Sequence, residues 1–296
     1  GRLKGEALAQ SAAQRNAVAP SNAPIPVSAI KGERADVPHA PFFGARTLHD
    51  VDLSQLWPCF DLRSLYRLSW GAANTKGDAF ERLVREDFEP RLQRYQRRAL
   101  DGGLLRPRVV YGYFPAAGVG DDVIVYDPND TAREIARFPF ARQRGGEHLC
   151  LADYLREPEN GRGVDLVALQ VVTVGTDASE QTEALHKAGD YSESYFLHGF
   201  SVQSAEALAE WTHRHIRAEL RLPEDRGKRY SWGYGACPDL SQHRIAFDLL
   251  DAENAIGTVL TEAFQIIPEQ STAAIILHHP RAAYFNAAAV RELEPA

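Results

Sequence analysis

RVVYGYFPAAGVGDDVIVYD, residues 108–127, decides how the rest of the chain is read. VVYGYF is β-branched and aromatic, and VIVY alternates, so both predict strands. Between them AAGVGDD carries the Gly and Asp residues that a tight turn needs, and GVGDD (118–122) reads as a hairpin turn. Strands joined that closely run antiparallel.

Working outward, VDLVALQVVTVG (164–175) predicts a long buried strand and STAAIILHHP (271–280) another. Helical spacing of apolar residues appears over 78–100, 178–189, 199–219 and 244–255. No repeat and no regular βαβ alternation is present. The expected fold class is therefore α+β, one domain around a largely antiparallel sheet with flanking helices.

The chain has 296 residues, 44% apolar and 25% charged, with a formal net charge of −7. These values suit a soluble globular protein. Clustered Lys and Arg are lacking, so nucleic acid is not an expected partner. No run approaches the ~18 apolar residues of a membrane helix, so no membrane role is expected. Cys59, Cys150 and Cys237 are far apart and fit neither a disulfide framework nor a CxxC site, which favours a reducing cytoplasm. Methionine is absent even at position 1, the mark of a chain cut or processed from a longer one. Residues 3–16 predict an Ala-rich helix, and 17–30 (AVAPSNAPIPVSAI) a Pro-rich tether. The expected division is a helix and linker over 1–35 and a folded domain over 36–296.

VTVGTDASE (172–180) follows a strand and opens a helix, but lacks a GxGxxG, so it is weak as a phosphate cradle. His213 and His215 lie two apart on a helix and face different ways. Of His278 and His279, adjacent at a strand end, only one is expected to face inward. No third ligand completes a metal site, and none is assigned. Cys237 reads as a small buried residue, not a nucleophile. The loop RYSWGYGACPDLSQH (229–243) is different. Arg229 offers a planar fork for a carboxylate or phosphate, or else a structural ion pair. Tyr230, Trp232 and Tyr234 offer ring faces. Gly233 and Gly235 allow close backbone approach. A small zwitterionic or nucleoside ligand would suit such a loop.

RYSWGYGACPDL, then FDLLDAENAIGTVLTEAFQIIPEQSTAAIILHHPRAAYF (247–285), resembles the C-terminal activation domain of cobalamin-dependent methionine synthase. Upstream, GYFPAAGVGDDVIVY (112–126) and RQRGGEHLCLADYL (142–155) resemble further motifs of that family, so the likeness spans about 45–285. Gly235 departs from it, standing where the family usually has proline. The resemblance implies a C-shaped α+β domain with a twisted antiparallel sheet. It implies S-adenosylmethionine as ligand and reductive methylation of cob(II)alamin to methylcobalamin, in methionine biosynthesis. Cobalamin would be held by a partner module, and the electron would come from flavodoxin or a similar donor. Arg229 would grip the ligand carboxylate. Gly233, Tyr234, Gly235 and Ala236 would supply backbone contacts and a wall, and Tyr284 and Phe285 an aromatic pair. Asp61, in FDLRSLYRLSWG (60–71), and Glu206, in EALAEW, would be acids facing the ligand's cationic groups. No catalytic residue is assigned. The D-x-H-x-x-G motif of the cobalamin module is absent, so this chain would be one part of a 5-methyltetrahydrofolate–homocysteine methyltransferase. Two rival readings stand beside it: a stand-alone S-adenosylmethionine-dependent methyltransferase, and a non-catalytic ligand sensor of the same fold.

Overall fold

The computed structural model describes residues 25–49 and 51–287. The expected helix at 3–16 and the first part of the tether lie outside the described residues. The strands are β1 (Gly44–Leu48), β2 (Arg108–Val119), β3 (Asp122–Asp127), β4 (Asp130–Pro139), β5 (Asp165–Thr173), β6 (Lys228–Ser231), β7 (Val259–Leu260), β8 (Ile266–Ile267) and β9 (Ser271–Leu277). The main sheet has seven strands in the order β4-β3-β2-β5-β9-β6, with β1 beside the first half of β2. Every pairing in it is antiparallel. β7 and β8 form a separate small ladder.

The hairpin forms as its residues predict, but tighter. β2 continues through Pro115 to Val119, leaving Gly120 and Asp121 as the turn. Pro115 falls where β1 has ended and β3 has not begun, so on that edge no neighbour needs the missing N–H. Arg142 clamps the turn. Its guanidinium donates to Asp121 at 2.7 Å and to Asp153 at 2.5 Å, with the Arg142 side chain only 3% exposed.

Both faces of the sheet are buried, which explains the near-continuous apolar runs of β2 and β5. Val110, Phe114, Val167, Leu169, Val171 and Ile275 point to one core. Val109, Tyr111, Tyr113, Leu166, Val172 and Ile276 point to the other. The helices are α1 (Gly77–Leu83), α2 (Glu89–Leu100), α3 (Asp177–Lys187), α4 (Tyr191–Glu219), α5 (His243–Leu250) and α6 (Ala252–Ile256). α5 and α6 cover the first face, together with Leu149–Leu155. α2 and α4 cover the second.

Three boundaries differ from the sequence reading. The helix expected over 78–100 opens into a wide turn at Val84–Phe88. Pro90 follows, and its ring and missing N–H exclude a regular bond to the preceding turn. The helix expected over 244–255 breaks at Asp251, which takes a left-handed conformation at φ 50°. α4 begins at Tyr191, capped by the Asp190 side chain, well before residue 199. Gly199 looks like a helix breaker, but the Trp70 indole packs so tightly there that a Cβ would lie 2.9 Å from the ring.

The far end of α4 is pinned to the sheet. Glu219 accepts from the Tyr111 and Tyr113 hydroxyls at 3.1 and 2.8 Å. The described part of the expected linker is also packed down. Ile30 is 2% exposed within the first core, and Lys31 donates to the Gly120 carbonyl at 3.1 Å.

Candidate functional site

β6 is an edge strand paired only through β9. Strand alternation sends Tyr230 into the first core and leaves Arg229 and Ser231 toward α4. Arg229 is held there with its side chain 16% exposed. One guanidinium nitrogen lies 3.4 Å from the Glu206 carboxylate on α4, and another donates to Ser231 Oγ at 3.2 Å. Edge strand and helix thus present a cation and an anion side by side.

The loop after β6 is built by its own residues. Trp232 donates to Gln242 Oε1 at 2.9 Å and stacks on Phe138. Gly233 takes φ 89°, a conformation that suits glycine, and its N–H donates to the Cys237 carbonyl at 2.9 Å. The Cys237 N–H returns a bond to the Tyr234 carbonyl. This tight turn pushes Tyr234 outward, 66% exposed. The Glu206 charge, more than burial, lifts the Tyr234 phenol above its ordinary range, so the two lie close. Ala236 and Cys237 are buried beneath. Burial pushes the Cys237 thiol up to about 12, which removes it as a thiolate nucleophile near neutral pH.

The segment after β9 closes the other side. The Ala287 N–H donates to the Gly235 carbonyl, and the Tyr230 hydroxyl to the Ala283 carbonyl, each at 2.8 Å. Tyr284 meets the Tyr230 ring edge-on at 5.7 Å and is 70% exposed, while Phe285 packs on the core. Arg229, Glu206, Gly233, Tyr234, Gly235, Ala236, Tyr284 and Phe285 therefore gather at one end of β6. Among the described residues, Asp61 makes no hydrogen bond to this group, and its own bonds stay within its own turn. Its carboxylate accepts from Ser64 N and Oγ in its own turn, bonds that hold it below the usual carboxylate range. The adjacent Phe60 stacks on Phe200 of α4, which sets Asp61 alongside that helix.

Glu210, His213 and Arg217 were not among the residues expected at the site. They follow Glu206 at helical spacing, so the four share one stripe of α4. Glu210 accepts from Arg214 at 2.9 Å and lies 3.6 Å from His213 Nδ1. Burial raises the Glu210 carboxyl, but His213 and Arg214 outweigh it and hold the group at about 2. Burial chiefly, with Arg217 and Arg229 adding to it, pushes the His213 imidazole below its ordinary value against the pull of Glu210. Among the described residues, nothing pairs with the buried His213 Nε2 or Arg217 Nε. The signal was in EALAEWTHRHIR, where the polar residues recur every three or four positions.

His215 turns away to Tyr111, as its spacing from His213 predicts. His278 and His279 depart from expectation, because both are buried. β9 ends at Leu277, so strand alternation no longer governs them. His278 Nε2 pairs with Asp165 at 2.6 Å, and His279 tucks beneath the Tyr154 ring. The VTVGTDASE turn lines a separate cavity of about 360 Å³ with Arg106, Arg108 and Pro268. Its arginines are already engaged, Arg106 by Asp177 at 2.8 Å and Arg108 by the Ile256 carbonyl at 3.0 Å.

A family model described as vitamin B12 dependent methionine synthase, activation domain, matches residues 51–294. The chain belongs to this family. The activation domain is 38% identical to a methionine synthase of Mycobacterium tuberculosis (strain ATCC 25618 / H37Rv) over 304 aligned residues, covering 93% of this chain and 25% of that protein. It is 36% identical to a methionine synthase of Mycobacterium leprae (strain TN), covering 88% of this chain and 24% of that one. The activation domain thus spans about a quarter of the length of these relatives. Its fold matches a crystal structure of the MetH reactivation domain bound to AdoHcy, with TM-score 0.73 and 24% identity over 86% of this chain and 85% of that one. The family resemblance and the α+β class are borne out.

Proposed function

We propose that this activation domain binds S-adenosylmethionine against β6 and α4 and presents its methyl group for reductive methylation of cobalamin held by a partner module. The Arg229–Glu206 pair carries this reading. A zwitterionic amino-acid group matches it charge for charge. The carboxylate takes the Arg229 fork and the ammonium takes Glu206, so each residue exchanges its internal partner for a ligand partner. The pair is partly shielded from water, where such charges act more strongly than in bulk solvent. Tyr234 and Tyr284 flank it as exposed ring faces. Gly233, Gly235 and Ala236 bring backbone close, Phe285 backs the wall, and Asp61 meets the ligand from its own turn beside α4.

Cobalamin held by a partner module would supply the acceptor for the methyl group, and S-adenosylhomocysteine would be left on this domain. The electron comes from flavodoxin or a similar donor, in the cytoplasm. Support comes from the family match and from relatives that are whole methionine synthases about four times as long. A start of the folded domain ahead of residue 36 is part of this reading, supported by Ile30 packed in the first core.

Calorimetric titration of S-adenosylmethionine into the wild type and Arg229→Ala tests the reading. Loss of a charged hydrogen bond is expected to weaken binding about tenfold to over a hundredfold with the fold intact by circular dichroism. Equal, tight binding by both proteins would remove Arg229 from the site.

A further inference from the structure

We infer that His213 is a further ligand-binding residue, its Nε2 accepting a hydrogen bond from the α-ammonium group of the bound ligand. The inference rests on the ligand class and site proposed above.

His213 is 5% exposed, and its Nε2 is buried without a partner among the described residues. Leaving a buried polar atom unpaired is costly, and such atoms in folded proteins are few. His213 shares the α4 stripe with Glu206, about two turns away. It is also close enough to Arg229 to feel that charge. The second core and the sheet are packed with apolar residues beside it, and α4 cannot slide to satisfy it, because Glu219 holds the helix end to Tyr111 and Tyr113.

Glu210 decides which hydrogen bond Nε2 can make. Its carboxylate is ionised and accepts only, and it faces Nδ1 at 3.6 Å. That arrangement favours the proton on Nδ1 and leaves Nε2 as a bare acceptor. A bare acceptor selects a donor. Of the charged groups of an amino-acid ligand, the ammonium donates and the carboxylate does not. Glu206 and His213 would then hold the ammonium together, one by charge and one by direction, while Arg229 holds the carboxylate. Glu210 is a positioning residue, acting through the imidazole.

The test compares S-adenosylhomocysteine with 5′-methylthioadenosine, which lacks the amino-acid group, by calorimetry on the wild type, His213→Gln, His213→Asn and Arg229→Ala. Gln can place a polar atom near the Nε2 position, whereas Asn reaches only that of Nδ1. His213→Asn is expected to weaken S-adenosylhomocysteine about tenfold or more and to leave methylthioadenosine within about twofold. His213→Gln is expected to recover most of that loss. In ¹⁵N spectra of the wild-type imidazole, the free protein should show Nδ1–H, and Nε2 should shift on adding S-adenosylhomocysteine but not methylthioadenosine. An Nε2–H tautomer, unchanged affinity in His213→Asn, or equal loss for both ligands would overturn the inference. Wild-type affinity in Arg229→Ala would overturn the parent reading and with it the placing of the ammonium beside His213, whereas failure in His213→Asn alone would overturn only the inference. No binding of S-adenosylhomocysteine by the wild type would overturn both.

Discussion

At the scale of the residue, the loop after β6 depends on one backbone conformation. Gly233 sits at φ 89°, and a Cβ there would come 3.1 Å from Leu240 Cδ2. Gly233→Ala combines a disfavoured backbone region with a crowded side chain. It is expected to destabilise the domain by about 1–3 kcal/mol, read from the denaturant midpoint. It should also swing Tyr234 and weaken S-adenosylmethionine binding. A variant as stable as the wild type would show that the turn tolerates a side chain. This loop was legible only in part: Tyr234 stands exposed as read, whereas Tyr230 and Trp232, read as ring faces for a ligand, pack into the first core because strand alternation and the Gln242 bond turn them inward. His213 was not legible in the same way. A lone histidine on a helix is usually a core or surface residue, and its role emerges only once Glu210 and Arg229 are placed beside it.

At the scale of the element, Gly199 sets two known effects against each other. Alanine is favoured over glycine inside a helix by about 1 kcal/mol. Yet the new methyl would meet Trp70 at 2.9 Å, and Trp70 is 3% exposed. Its indole is fixed by a 3.0 Å bond to the Phe196 carbonyl and by contacts with Phe88 and Phe196. Overpacking a ring that cannot retreat costs about 1–3 kcal/mol, so packing outweighs propensity. Gly199→Ala is expected to lower stability by up to about 2 kcal/mol in urea unfolding. A gain in stability would mean that the indole moves. The same position explains why the start of α4 was hidden. A glycine amid Ser, Tyr and His reads as a boundary until its packing partner, 129 residues away in sequence, is known. The break at Asp251 was hidden for a different reason, since neither Gly nor Pro marks it. The hairpin and the buried strands were plain, because period and turn chemistry are local properties.

At the scale of the whole molecule, burial sets the response to acid. His213, His243 and His279 are each pushed below the ordinary imidazole value, burial being the largest cause in every case. The unfolded chain therefore takes up protons near pH ~6.5 while the folded one does not. Stability is full above that value and falls as pH drops toward the folded pKa values. Asp61 and Glu210, held below their ordinary range, add stability that is present above the usual carboxylate values and lost at still lower pH. The melting temperature is expected to fall between pH 7 and 5, and His243→Gln, whose native ring packs edge-on against Trp232, should make that limb shallower. An unchanged slope in the variant would exclude His243 from the acid response. The candidate site lies on the last strand of the sheet, four residues long. A ligand bound there would enter from the rim and would not have to thread the interior. A rim can be roofed by a second body. How long the ligand dwells then follows the lifetime of that roof more than the contacts beneath it, and the larger enzyme would govern this domain through timing.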